Sequence, residues 1–264
     1  MANKSSIADK FLTSILLGAA IAGIAYAGFL VALQAYNYVQ YATSNNNVRL
    51  LAGDSNSDSL RAAVGLGNAQ DQGGQTPESI AAAQRRIIDF AALKKINPEI
   101  IGWIYIPNSR IDYPIAQAKD NDYYLHHDFY GRRSFSGCIF LDKAAKPDFT
   151  SQDSPVYGHH MRNKSMFGSL VYFRQDSFAK SHQIAFIYLP DKTIKYQFVM
   201  GQELSTTELP ASKYDFNTMT MITCDYDQVG NHYMVREKFL NSRAPGEADP
   251  NDPPAAATAA NTKK

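Results

Sequence analysis

The sequence predicts a mainly β domain, a barrel or a sandwich, and three observations carry that expectation. Short runs rich in Ile, Val, Phe, Tyr and Thr recur between residues 101 and 235. Turn signals such as Pro107-Asn108-Ser109 and Pro190-Asp191-Lys192 fall between them. Helical patterning lies mostly upstream of these runs, with one short insertion at about 166–172. Evenly spaced short strands punctuated by turns are what closed or double-layered β architectures require.

The elements follow in order. Every residue from Phe11 to Leu33 is uncharged and most are apolar, a length that matches the roughly 20 residues needed to cross a bilayer core. Lys4 and Lys10 precede this stretch, and the next basic residue is Arg49. The positive-inside bias therefore puts residues 1–10 in the cytoplasm, makes 11–36 a single-pass signal anchor, and leaves the remainder outside the cell. Tyr26, Tyr36, Tyr38 and Tyr41 cluster toward the outer end as an interfacial belt would. A cleaved signal peptide is the competing reading, but its apolar core is usually only about 7–15 residues.

Residues 37–76 read as a flexible linker, because Ser44-Asn45-Asn46-Asn47 and Gln72-Gly73-Gly74-Gln75 offer too little apolar surface to offset their ordering entropy. A helix start appears at Thr76-Pro77-Glu78. Ile80, Ala83, Ile87, Phe90 and Leu93 then recur at near-helical spacing, predicting one amphipathic helix to about Lys95, stopped by Asn97-Pro98. The β segments are 101–106, 111–115, 137–141, 154–158, 183–188, 193–199, 218–224 and 232–235, within a domain spanning 77–240. Residues 241–264, without apolar periodicity, read as a disordered tail.

Composition narrows the function. Twenty-six basic residues against 25 acidic ones leave a net charge of +1, which gives no electrostatic footprint for nucleic acid. Two cysteines, Cys138 and Cys224, do not make a disulfide framework. Cys224 ends the β run Thr218-Met219-Thr220-Met221-Ile222-Thr223-Cys224, where a sulfur is fixed by the backbone yet open to substrate. Cys138 sits mid-strand and reads as a buried, unreactive thiol. A nucleophilic thiol needs a nearby imidazole or other cation. His126 and His127 lie in a polar loop without further ligands at metal spacing, and His182 reads as exposed. His159 and His160 follow the strand Val156-Tyr157-Gly158, so they occupy a strand end, as Cys224 does.

Several motifs together resemble the class B sortases, membrane-anchored cysteine transpeptidases of Gram-positive bacteria. They are Ile101-Gly102-Trp103-Ile104, Ile111-Asp112-Tyr113-Pro114-Ile115, Asp120-Asn121-Asp122-Tyr123-Tyr124-Leu125, Ser136-Gly137-Cys138-Ile139-Phe140-Leu141-Asp142, Tyr157-Gly158-His159-His160-Met161, Ser165-Met166-Phe167-Gly168-Ser169-Leu170 and Thr223-Cys224, in the family's order between about Phe90 and Lys238. The resemblance implies an eight-stranded β-barrel with an N-terminal amphipathic helix and few short helices. It implies Cys224 as nucleophile and His159, rather than His160, as catalytic imidazole, with Thr223 and nearby backbone N–H groups around an oxyanion. No cofactor is expected. The partners implied are sorting-signal-bearing surface proteins and an amine of a cell-wall precursor or a pilin.

Two departures stand out. Where the family has a catalytic Arg opening the strand after the cysteine, this chain has His232, and Arg236 on the same strand face lies about 13 Å further along. The long helix of class B sortases has no room in residues 201–217. Asp225 and Asp227 read as loop-shaping residues. Besides the transpeptidase, a cysteine hydrolase releasing product to water and a degenerate, sortase-like binding protein stay open.

Overall fold

A computed structural model describes residues 4–51, 73–205, 209–210, 213–224 and 232–252, with Cys224 described by its backbone. The rest of the linker expected at 37–76, residues 52–72, lies outside the described residues, as do Asp225, Asp227 and the end of the expected tail, 253–264. The chain divides into two compact units, residues 1–42 and 43–264.

The helix α1 (Lys4–Leu51), which supplies the first unit, contains the window Lys10–Leu33, with a mean hydropathy of 2.2, long and apolar enough to cross a membrane. The helix does not stop at residue 36, so the beginning of the expected linker is helical.

The second unit is built on eight strands among the described residues: β1 (Ile100–Tyr105), β2 (Asp112–Ala116), β3 (Phe140–Leu141), β4 (Asp153–Gly158), β5 (Ile184–Tyr188), β6 (Thr193–Leu204), β7 (Thr218–Cys224) and β8 (His232–Arg243). They close into a barrel in the order β1-β2-β3-β4-β7-β8-β6-β5, which resolves the choice between barrel and sandwich. Closure leaves no free sheet edge. β4 and β7 are parallel, and β7 and β8 are antiparallel.

Side-chain alternation separates the two faces of the barrel wall. On β4, Ser154, Val156 and Gly158 are buried while Asp153, Pro155 and Tyr157 are half-exposed. Residues in register across neighbouring strands share a face, so Met219, Met221 and Thr223 of β7 join the interior set. Gly158 is demanded by space rather than by a turn: a Cβ there would lie 2.8 Å from the ring of Phe167. Phe167 opens a 3-10 helix, Phe167–Arg174, whose Leu170 and Phe173 are also buried.

The amphipathic helix expected from Ile80 to Lys95 is two helices, α2 (Pro77–Gln84) and α3 (Phe90–Ile96). Thr76 and Ser79 form a capping box on the first, and the Asp89 carboxylate accepts from the Ala92 N–H to start the second. The break reverses two residues, leaving Ile87 68% exposed and Ile88 buried. It also frees Arg86 to reach the barrel. Its Nη1 donates to Asp112 at 2.8 Å, Trp103 Nε1 donates to the same carboxylate at 2.6 Å, and the guanidinium lies 4.9 Å from the Tyr105 ring centre. Phe90, Leu93, Trp103, Phe186 and Tyr188 form the apolar layer between these helices and the outer wall. Trp103 is therefore packed outside the barrel, under the helices.

Two short helices complete the domain, α4 (Tyr123–His126) and α5 (Asp176–Ser181). At the C-terminal end, β8 continues past residue 240, and Asp249 is buried against Lys195 at 3.5 Å and Arg243 at 3.2 Å. The folded domain therefore reaches at least to residue 252, further than the tail boundary read from composition. At its N-terminal end, Gln75 is already tied to β5 through Ile184.

Candidate active site

Register assembles the site. Gly158 of β4 pairs with Thr223 of β7, so the residues that follow, His159 just past β4 and Cys224 at the end of β7, lie at the same end of two parallel neighbours roughly 4.8 Å apart. Cys224 pairs directly with His232 at the start of β8. His159, distant in sequence, and the pair Cys224 and His232 thus lie across three adjacent strand ends, with the cysteine in the middle.

His159 is half-buried, and its Nε2 lies 2.8 Å from the carbonyl oxygen of Leu125. A carbonyl only accepts, so Nε2 carries the proton and Nδ1 is the nitrogen with the free lone pair in the neutral ring. Burial holds the His159 pKa below its ordinary value, opposed by the Leu125 hydrogen bond and reinforced by His126. His160 is buried on a different course, with Nε2 3.2 Å from Lys164 Nζ. His232 is also held below the ordinary imidazole value by burial, against a backbone hydrogen bond with Thr223.

Thr223 is buried on the interior face, so its hydroxyl points to the core and any contribution to an oxyanion is through the backbone. Arg236 is 3% exposed and committed elsewhere. Its Nε donates to Thr220 Oγ1 at 3.0 Å, and its Nη2 donates to Pro210 O at 3.1 Å and to Asp153 at 3.3 Å. It pairs with Thr220, four residues before Cys224 on β7, and so stands well away from the strand end that carries Cys224.

The outer face of β4, β7 and β8 continues the site in rungs. Behind His159, Cys224 and His232 comes Tyr157, Ile222 and Met234, an apolar cluster completed by Leu204, Met200 and Leu209. Behind that lie Pro155, Thr220 and Arg236, and a cavity of about 370 Å³ lined in part by Asp142, Asp153, Pro155, Tyr157 and Leu209. Leu209 belongs to the connection 205–217, whose described residues carry no helix. This connection is shorter than the sequence suggests, because β6 runs on through Gly201 to Leu204 past a register shift between Phe198 and Met200.

The other candidates separate cleanly. Cys138 is buried, its thiol pushed up by desolvation and by the Asp128 charge, as expected of an inert sulfur. His126 faces Asp122 at 3.7 Å on the surface, and His127 stacks on Tyr123. Among the described residues there is no cluster of three or more His, Cys, Asp and Glu that could hold a metal. His182, expected on the surface, is buried and stacked on Phe178 at 3.9 Å; its flanking Ser181 and Gln183 gave the stretch a polar look. The Leu125 carbonyl was not found from sequence, since a backbone oxygen has no residue signature.

The Sortase domain family matches residues 104–238. The chain belongs to the sortase family. Its likenesses are to class B sortases: it is 40% identical over 90 residues to sortase B of Listeria monocytogenes, covering 34% of this chain and 37% of that protein. To sortase B of Staphylococcus aureus it is 34% identical over 118 residues, covering 45% of this chain and 48% of that protein. The sortase chain thus spans less than half the length of these curated relatives in the matched regions. Among solved structures, Clostridium perfringens sortase B is similar with a TM-score of 0.51 and 28% identity, covering 57% of this chain and 99% of that one.

Proposed function

We propose that this sortase is a membrane-anchored cysteine transpeptidase, with α1 as the anchor, the N-terminus cytoplasmic and the barrel outside the cell. The observation that carries the reading is the shared register of His159, Cys224 and His232 at one barrel end. In the proposed cycle the Cys224 sulfur attacks the carbonyl carbon of a peptide bond in a sorting signal while the thiol proton passes to His159. The tetrahedral intermediate collapses to a thioester as His159 returns that proton to the departing amine. An incoming amine of a cell-wall precursor or a pilin then attacks the thioester, giving an amide and regenerating the thiol. The apolar rung Tyr157-Ile222-Met234 and the cavity beyond it supply a bed for the peptide. Backbone N–H groups near Thr223, with His232, face the developing oxyanion.

A second reading, a binding protein with little turnover, draws support from His232. A neutral imidazole offers one donor where a guanidinium offers five and a permanent charge, and Arg236 is held by Asp153. Incubating the protein with sorting-signal peptides, with and without an amine acceptor, separates the readings by product mass. Transpeptidation yields the acceptor adduct, hydrolysis yields the free acid in both cases, and neither product, with Cys224 inert to mild alkylation, refutes the enzyme.

A further inference from the structure

We propose that the segment 122–138, α4 with the loop that follows it, is the positioning element of His159, with the Leu125 carbonyl doing for this imidazole what a carboxylate does in a nucleophile–His–Asp triad. The inference rests on the transpeptidase reading for its consequence, but its geometry stands apart from it.

Each of the five carbonyls from Tyr123 to His127 meets a named donor. Tyr123 O accepts from His127 Nδ1 at 2.9 Å, Tyr124 O from the Cys138 N–H at 2.8 Å, and Leu125 O from His159 Nε2 at 2.8 Å. His126 O accepts from the Ser134 N–H at 2.8 Å and His127 O from Cys138 Sγ at 3.2 Å. Cys138 thereby brackets the Leu125 carbonyl from both sides, which gives this non-catalytic cysteine a part to play. The bracket is anchored in the core: Tyr124 is 1% exposed, and its hydroxyl donates to Glu99 and accepts from Asn97, both at 2.7 Å.

Gly137 makes the approach possible. It has φ +53°, and a Cβ there would collide with the Tyr124 carbonyl oxygen and lie 2.8 Å from that of Leu125. Only a residue without a side chain lets residues 136–138 pass this close to the carbonyl that holds His159. The result is one ring orientation and one tautomer, Nε2 protonated and Nδ1 basic, set before substrate arrives. An orienting acceptor also stabilises the imidazolium as it forms.

The test is long-range ¹H–¹⁵N NMR on the full chain labelled at histidine, in detergent micelles, with His159→Gln identifying the signal. The expected wild-type signature is a neutral ring protonated at Nε2. A ring protonated at Nδ1, or an even mixture, overturns the proposal, whatever the variants do. Gly137→Ala is expected to mix the tautomers and lower kcat at least tenfold with little change in KM, while Cys138→Ala, which keeps the 138 N–H, retains the single tautomer. A folded Gly137→Ala protein with an unchanged His159 signature also refutes it. If the wild-type tautomer is as expected but no transpeptidation occurs, the positioning geometry survives and the functional reading falls.

Discussion

Glu237 should weaken the barrel at neutral pH, and replacing it with methionine should strengthen it. It lies on β8 in one interior rung with Met219 and Ser154. It is fully buried, and neither carboxyl oxygen has a hydrogen-bond partner among the described residues; the hydroxyls of Ser154 and Tyr196 are likewise unpartnered. Desolvation raises its pKa from 4.5 to about 8. Between those values the folded chain keeps a proton that the unfolded chain has lost, so stability falls as pH rises. Each pH unit is worth ~1.4 kcal/mol, so about 3 kcal/mol present below pH 4.5 is gone by pH 7. Glu237→Met removes the proton linkage and matches the neighbouring Met219. Its Tm at pH 7 should rise by roughly 6–12 °C, at about 2–4 °C per kcal/mol for a domain of this size. Urea titrations at pH 5, 6, 7 and 8 supply the slope: wild type should lose stability across the series and the variant should not. A variant no more stable than wild type at pH 7, with the same slope, refutes a buried, proton-holding carboxyl.

Other outcomes follow from the candidate site and the rungs behind it. His232→Arg restores a permanent charge at the β8 start and should raise transpeptidation about tenfold, the worth of roughly 1.5 kcal/mol from a charged donor. Because the His232 pKa lies below its ordinary value, the gain should be largest near pH 8 and shrink toward pH 5, where histidine gains its own proton; steady-state rates that are equal at pH 8 count against an oxyanion role. Arg236→Met strips Asp153 of its cation and should cost about 3 kcal/mol of stability by denaturant unfolding, with Asp153→Asn in the same chain recovering part of it. A loss below about 1 kcal/mol would place the pair among the weak surface bridges.

The strands were legible because β-branched and aromatic runs leave a mark at the level of letters. β6 escaped beyond Val199 because Gly201, Gln202 and Glu203 look like loop, although cross-strand pairing to β8 carries them as strand. Spacing alone fused α2 and α3, since Ile80, Ala83, Ile87 and Phe90 fit one helix; the attraction of Arg86 to Asp112 is a tertiary fact that no local window contains. At the site, the Thr-Cys and Tyr-Gly-His motifs pointed to Cys224 and His159, while the register that aligns them comes only from the parallel pairing of β4 with β7. The acceptor that orients His159 is a backbone atom, invisible to any reading of residue types.

The helices α2 and α3 dress the wall around β1 and β5, and in the ring of strands β1 stands opposite β7. From Gln75 onward the polypeptide therefore joins the barrel on the wall away from β7. A bulky protein fused ahead of Gln75 should therefore leave the side formed by β4, β7 and β8 open, as the proposed joining of one macromolecule to another would require.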